Sequence, residues 1–101
     1  MGKLVALTWT SKASSDLDGI FEHYASLIGD AQAKGVVRDI IAQVSTLTDP
    51  RFKGRGRPTE VPEVRELVIQ RWPFLAPYRA VATGIEILRI HHQRKQHPPQ
   101  W

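Results

Sequence analysis

The chain contains no cysteine. Disulfides and thiolate-ligated metals are therefore excluded, and the composition is compatible with a reducing compartment. No apolar run approaches the roughly 20 residues needed to cross a bilayer as a helix, so no membrane partner is expected. Met1 to Trp9 has neither a long apolar stretch nor a small-residue cleavage site, and no signal peptide is expected. Metal-ligand spacing is missing too. His91 and His92 are adjacent, so a strand would point them to opposite faces, and His97 sits among prolines. Gly54-Arg55-Gly56-Arg57 lacks the strand–helix context of a phosphate-binding loop. Neither a metal nor a cofactor is expected. There is no internal repeat.

What remains is a chain of 101 residues, 42% hydrophobic, which is enough for one small globular domain spanning residues 1–101. Its charge is uneven. Residues 1–50 carry four Lys/Arg against six Asp/Glu, a net −2, and residues 51–101 carry ten against four, a net +6. A half-molecule this basic suits an anionic partner, either nucleic acid or an acidic protein segment.

Lys3–Trp9 is apolar and β-favouring and is expected to form a strand. Thr10 or Ser11 can cap a helix on which Leu17, Ile20, Phe21, Tyr24 and Leu27 recur at helical spacing. Gly29-Asp30 breaks that helix and caps another, with Ala33, Val37, Ile40, Val44 and Leu47 on one face, ending before Pro50. So short a connection implies an antiparallel helix hairpin. Asp49–Pro62 reads as an irregular loop with Arg51, Lys53, Arg55 and Arg57 at alternate positions. Three strands follow, Val64–Ile69, Leu75–Ala82 and Ile85–His92, with turns at Trp72-Pro73 and Thr83-Gly84. The fold class is α+β: a strand, a helix hairpin, then a three-stranded antiparallel meander.

Two-residue turns would place Arg65, Leu67, Tyr78, Arg89 and His91 on one face of this meander. Arginine binds phosphate through paired N–H groups and stabilises charge in phosphoryl transfer. Histidine can act as general acid or base. Arg65, Arg89 and His91 are thus candidates for a metal-free RNA-cleaving centre. Lys53, Arg55, Arg57, Arg79, His92 and Arg94 are candidates for binding a target or a nucleic acid. A plainer reading pairs the strand arginines with Glu63, Glu66 and Glu86, close by in sequence. In His97-Pro98-Pro99-Gln100-Trp101 the prolines forbid a helix, and Trp101 is an expected anchor.

Leu7-Thr8-Trp9-Thr10, Ala13, Asp16-Leu17, Leu47, Pro50, Gly54-Arg55, Val64-Arg65-Glu66-Leu67, Pro73-Phe74, Tyr78-Arg79, Ile87-Leu88-Arg89-Ile90-His91 and Arg94 form an ordered series of short markers. This series resembles the ParE/RelE superfamily of toxins from type II toxin–antitoxin systems, over nearly the whole chain. The resemblance implies a bacterial cytoplasmic toxin held inactive by a cognate antitoxin with an acidic or amphipathic segment. Arg65-Glu66-Leu67 and the ending Leu88 to Arg94 look more like ParE, which implies action on DNA gyrase. Arg89-x-His91-His92 also resembles the Arg-x-His-Tyr ending of relatives that cleave mRNA on the ribosome, with His92 in the tyrosine position. A plain nucleic-acid-binding domain is the third possibility.

Overall fold

A computed structural model describes residues 6–49, 51 and 56–93. The elements, in order, are β1 (Ala6–Trp9), α1 (Ser11–Ile28), α2 (Asp30–Ser45), a 3₁₀ turn (Thr46–Thr48), β2 (Arg57–Pro58), β3 (Val64–Val68), β4 (Phe74–Val81), β5 (Gly84–Ile87) and β6 (His91–His92). The strands form one mixed sheet in the order β1-β5-β4-β3-β2, with β6 pairing with the start of β4. The α+β expectation holds, and the meander is β3-β4-β5. Two elements extend it. β1 joins β5 in parallel, and β2, inside the supposedly irregular loop, joins the edge of β3. Pro58 is tolerated there because an edge strand has no partner for the missing N–H on its outer side.

Thr10 starts α1, its Oγ1 accepting a hydrogen bond from Ala13 N at 3.1 Å. The same side chain donates to Leu88 O at 2.8 Å, so the cap also fastens the helix to the sheet. Gly29, at φ 93°, serves both helices. Its N–H donates to Ala25 O, and its C=O accepts from Ala33 N, each at 3.0 Å. The backbone of one residue thus makes the hairpin connection. Asp30 is the first residue of α2, where a carboxylate complements the helix dipole, rather than its side-chain cap.

Both helices pack on one face of the sheet. Ala13, Ile20, Val36, Ile40, Val44 and Leu47 meet Leu67, Ile69, Phe74, Ala76, Tyr78 and Ile87 in a single core. Val36 is 2% exposed, whereas Val37, the expected core residue, is half-buried at the margin. Leu7 and Trp9 of β1 complete the edge of the core.

Both expected turns are displaced. Leu67 opposes Ala76 rather than Tyr78, and Ala80 opposes Ile85 rather than Ile87. Each shift is two residues, so the faces keep their membership: Arg65, Leu67, Tyr78 and Ile87 share the helix side. The expected last strand does not run through, however. Leu88–Ile90 leaves the ladder, and pairing resumes with Leu75 opposite His91 and Phe74 opposite His92. The interruption reverses parity. His91 therefore lies on the opposite face from Arg65, contrary to the sequence expectation, and His92 joins the helix side.

The β3–β4 connection is clamped by α2. Asp39 accepts from Arg71 Nη2 at 2.6 Å, Trp72 Nε1 at 2.7 Å, Arg71 Nε at 3.2 Å and Gln43 Nε2 at 3.3 Å. Gln43 also takes both backbone groups of Gln70, donating to its O at 3.0 Å and accepting from its N at 2.6 Å. This holds Arg71 at φ 73°, a conformation uncommon outside glycine. Burial acts to raise the Asp39 carboxyl. The hydrogen bonds from Trp72 and Arg71, with the Arg71 charge and Gln43, outweigh it and hold the group below its ordinary 3.8. A carboxylate with a lowered folded-state pKa stabilises the fold above its unfolded value, and that contribution is lost as pH falls through the folded one. Asp39→Ala should therefore cost about 1–3 kcal/mol at neutral pH. It should also flatten the loss of stability below about pH 4, as measured by denaturant melts across that range.

Candidate functional site

The proposed catalytic trio does not converge. Arg65, opposite Tyr78 on the helix side of the sheet, donates from Nε to Gly56 O at 2.9 Å, and its Nη2 donates to the same oxygen. Tyr78 Oη accepts from Gly56 N at 3.0 Å. Together they secure both backbone groups of the residue that leads into β2. A Cβ at position 56 would lie 2.1 Å from Tyr78 Oη, so glycine is what permits this approach.

Arg89 lies in the interruption between β5 and β6 and is bound to α1. Its Nε and Nη2 donate to Asp16 Oδ2 and Oδ1 at 2.8 and 3.0 Å, and Ile90 N donates to the same carboxylate at 3.0 Å. The hydrogen bonds from the guanidinium to Asp16 raise the Arg89 pKa against the effect of partial burial, and the charge of Asp16 adds to them. Asp16 thus fixes the bulge that reverses the register. His91 is buried on the other face, opposite Leu75. His92 is half-buried and meets the Phe74 ring edge-on, centroids 5.9 Å apart.

The remaining strand arginines lie on the face away from the helices and are paired as the plainer reading supposes. Arg57 Nε meets Glu66 Oε1, and Arg79 Nε meets Glu86 Oε1, each at 2.8 Å. Lys53, Arg55, Arg94 and the Trp101 tail lie outside the described residues. Among the described residues, Arg38 is the one arginine with no hydrogen bond or ion pair; it lies on the exposed side of α2.

Arg38 borders an apolar groove. Of Ala33, Val37, Ile40 and Val44, the residues expected on one face of α2, Ala33, Ile40 and Val44 are fully buried in the core and Val37 lines the groove. The groove runs along the outer seam between α1 and α2. It is lined by Trp9, Leu17, Phe21, Val37 and Ile41, with Lys34 and Arg38 on one rim and Asp18 on the other, and has a volume of about 580 Å³. Its sequence signal is an apolar stripe too wide for one contact. Phe21 and Ile41 each sit one position beyond a core residue, Ile20 and Ile40.

A second groove, of about 770 Å³, lies on the strand side of α1. Ile20, Tyr24, Phe74 and Ile90 form its apolar surface, and Asp16, Arg89, His23 and His92 contribute its polar groups. No described helix is long and apolar enough to cross a membrane. Among the described residues, no group of three or more His, Asp or Glu is placed to hold a metal.

A small α+β domain with its strand cations bound internally and apolar grooves along its helices has the features of a protein-binding module. The family model for the ParE toxin of the type II toxin–antitoxin system parDE matches residues 7–97. The chain is 31% identical over 94 residues to a Sinorhizobium fredii protein named "Putative toxin Y4kP", covering 91% of this chain and 92% of that one. It is also similar to a solved chain from the chromosomal ParDE system of P. aeruginosa. There the identity is 48% and the TM-score 0.82, with 88% of this chain and 96% of that one covered. The chain belongs to the ParE toxin family of type II toxin–antitoxin systems.

Proposed function

We propose that this toxin arrests growth in the cytoplasm by binding DNA gyrase, without covalent chemistry of its own, and is neutralised by a cognate antitoxin. The observation carrying this reading is the dispersal of the catalytic candidates. Metal-free RNA cleavage needs a base, an acid and a cation around one phosphate. Here Arg65 is directed to Gly56, Arg89 to Asp16, and His91 to the opposite face. The family match points the same way.

The antitoxin contact is assigned to the α1–α2 groove. An amphipathic helix can bury its apolar face in such a groove, and an acidic flank would meet Lys34 and Arg38, which have no partners among the described residues.

Purified toxin incubated with gyrase, DNA and ATP should block supercoiling or trap cleaved DNA, while mRNA on translating ribosomes stays intact. His91→Ala and His92→Ala should each retain toxicity. Ribosome-dependent mRNA cuts, with normal supercoiling and about a 10²–10⁴-fold loss of cutting on removing one histidine, would establish the endoribonuclease alternative instead.

A further inference from the structure

β1 is an edge strand, with β5 on one side and no described strand on the other. Its hydrogen bonds show which backbone groups are left over. Ala6 N donates to Thr83 O at 3.3 Å and Thr10 N to Ile87 O at 3.0 Å, so the even positions of β1 face β5. The N–H and C=O groups of Leu7 and Trp9 point outward, and among the described residues no hydrogen bond reaches them. The opposite edge of the sheet is guarded, because β2 is two residues long and consists of a cation, Arg57, and Pro58. β1 has neither device. Ala6-Leu7-Thr8-Trp9 carries no charge and no proline, and such an edge is a template for another strand.

We propose that the toxin without its antitoxin pairs with a second copy of itself along this edge, β1 against β1, antiparallel about a two-fold axis at Thr8. The strand's own sequence specifies this occupant. The outward groups of Leu7 on one copy meet those of Trp9 on the other, and each such pair exchanges both of its hydrogen bonds. Leu7 and Trp9 lie on the helix side of the sheet, where they pack against the core, so each indole lies beside a leucine across the junction. Thr8 is exposed on the other face. It meets its own copy at the axis, and threonine opposite threonine is a favourable cross-strand pair. A two-fold axis sets every charge close to it against its like. β1 holds none, so it tolerates its own copy and offers no charge by which to select a foreign strand. The two sheets become one, with both helix hairpins on the same face. Trp9 also lines the α1–α2 groove, so the second copy adjoins that groove.

The chain has no cysteine, so one introduced at the axis reports the pairing directly. The two Thr8 positions form a non-hydrogen-bonded pair with Cα atoms about 4.5 Å apart, within the roughly 4.4–6.8 Å that a disulfide spans. Purified Thr8→Cys toxin should convert to a covalent dimer on mild oxidation. Ala6→Cys, exposed on the same strand, is the control. Its two copies would stand about 14 Å apart, four residues at about 3.4 Å each, and should stay unlinked. In sedimentation the parent should show a concentration-dependent monomer–dimer equilibrium. Thr8→Lys sets like charges across the axis and removes only an exposed hydrogen bond to Ile85 O, 3.4 Å long. It should raise the dimer dissociation constant at least tenfold while keeping a cooperative melt; if it does not fold, the cysteine variants decide. Equal cross-linking of Ala6→Cys and Thr8→Cys, or none in either, overturns the pairing, as does parental dimerisation in folded Thr8→Lys. A parent monomeric at every concentration also overturns it. If the Leu7 and Trp9 amides of that monomer become protected from hydrogen exchange only when antitoxin is added, the edge serves a foreign strand and the second copy is refuted.

Discussion

Lys34→Glu combined with Arg38→Glu should reduce antitoxin affinity by about 100-fold, close to 3 kcal/mol. Both positions are exposed on α2, four residues apart, and neither makes a hydrogen bond or ion pair among the described residues, so the fold should melt as the parent does. Reversal removes two attractions and introduces two repulsions against an acidic segment. The effect should appear in the association rate, because charges at a rim act chiefly by steering. It should also shrink as salt rises and the Debye length contracts from about 10 Å at 0.1 M to about 3 Å at 1 M. Stopped-flow association kinetics at two salt concentrations read both features. A loss of affinity independent of salt would mean that the groove binds through its apolar floor and the rim cations are incidental. In cells the same variant should escape neutralisation, with toxicity expressed even in the presence of antitoxin.

Gly84→Ala should prevent stable folding. Gly84 opens β5 opposite Ala6 of β1, at φ 154°. A Cβ there would lie 2.1 Å from Ala6 O, 2.7 Å from Ala6 N and 2.8 Å from Ala6 C. Those atoms belong to backbone, so relief requires moving β1 and with it Leu7 and Trp9, which pack on the core. Displacing an edge of the core costs several kcal/mol, comparable with the roughly 5–15 kcal/mol that holds a domain of this kind folded. Thermal melts should show a non-cooperative transition or none. A cooperative melt within a few degrees of the parent would show that β1 is dispensable to the fold.

Gly84 also shows why the sequence was only partly legible. As part of a Thr83-Gly84 pair it reads as a turn residue, yet it is the first residue of a strand, and the turn lies one position earlier. The requirement for glycine comes from β1, nearly eighty positions away, and local pattern cannot register that. Because each turn slid by one position, which shifts the pairing by two residues, the period-2 alternation still placed Arg65 and Tyr78 on the correct face. His91 was misplaced by the bulge at Leu88–Ile90. Its cause is Asp16, which accepts from Ile90 N and Arg89 across most of the chain's length.

The helices were more accessible. Thr10, Gly29 and the Leu17–Ile20–Tyr24 stripe act through neighbours on the same turn, so sequence spacing reports them. The groove was half visible: the surplus apolar residues Phe21 and Ile41 were there to be counted, but which stripe faced the core depended on how the hairpin met the sheet. The arginines were evident as residues. Their partners were harder to foresee, because Arg57–Glu66 and Arg79–Glu86 depend on register, and Arg89–Asp16 on a contact between opposite ends of the chain.

The parallel pairing of β1 with β5 has a kinetic consequence. The first strand synthesised finds its place only beside nearly the last, and closing so long a loop costs entropy before any contact offsets it. The helix hairpin, with its one-residue connection, can form while most of the chain is still being made; the sheet edge cannot. During synthesis, the surfaces along α1 and α2 can therefore exist before the sheet is complete. An antitoxin that reads the helices could capture the emerging chain before the rest has assembled, whereas a target requiring the finished sheet would have to wait.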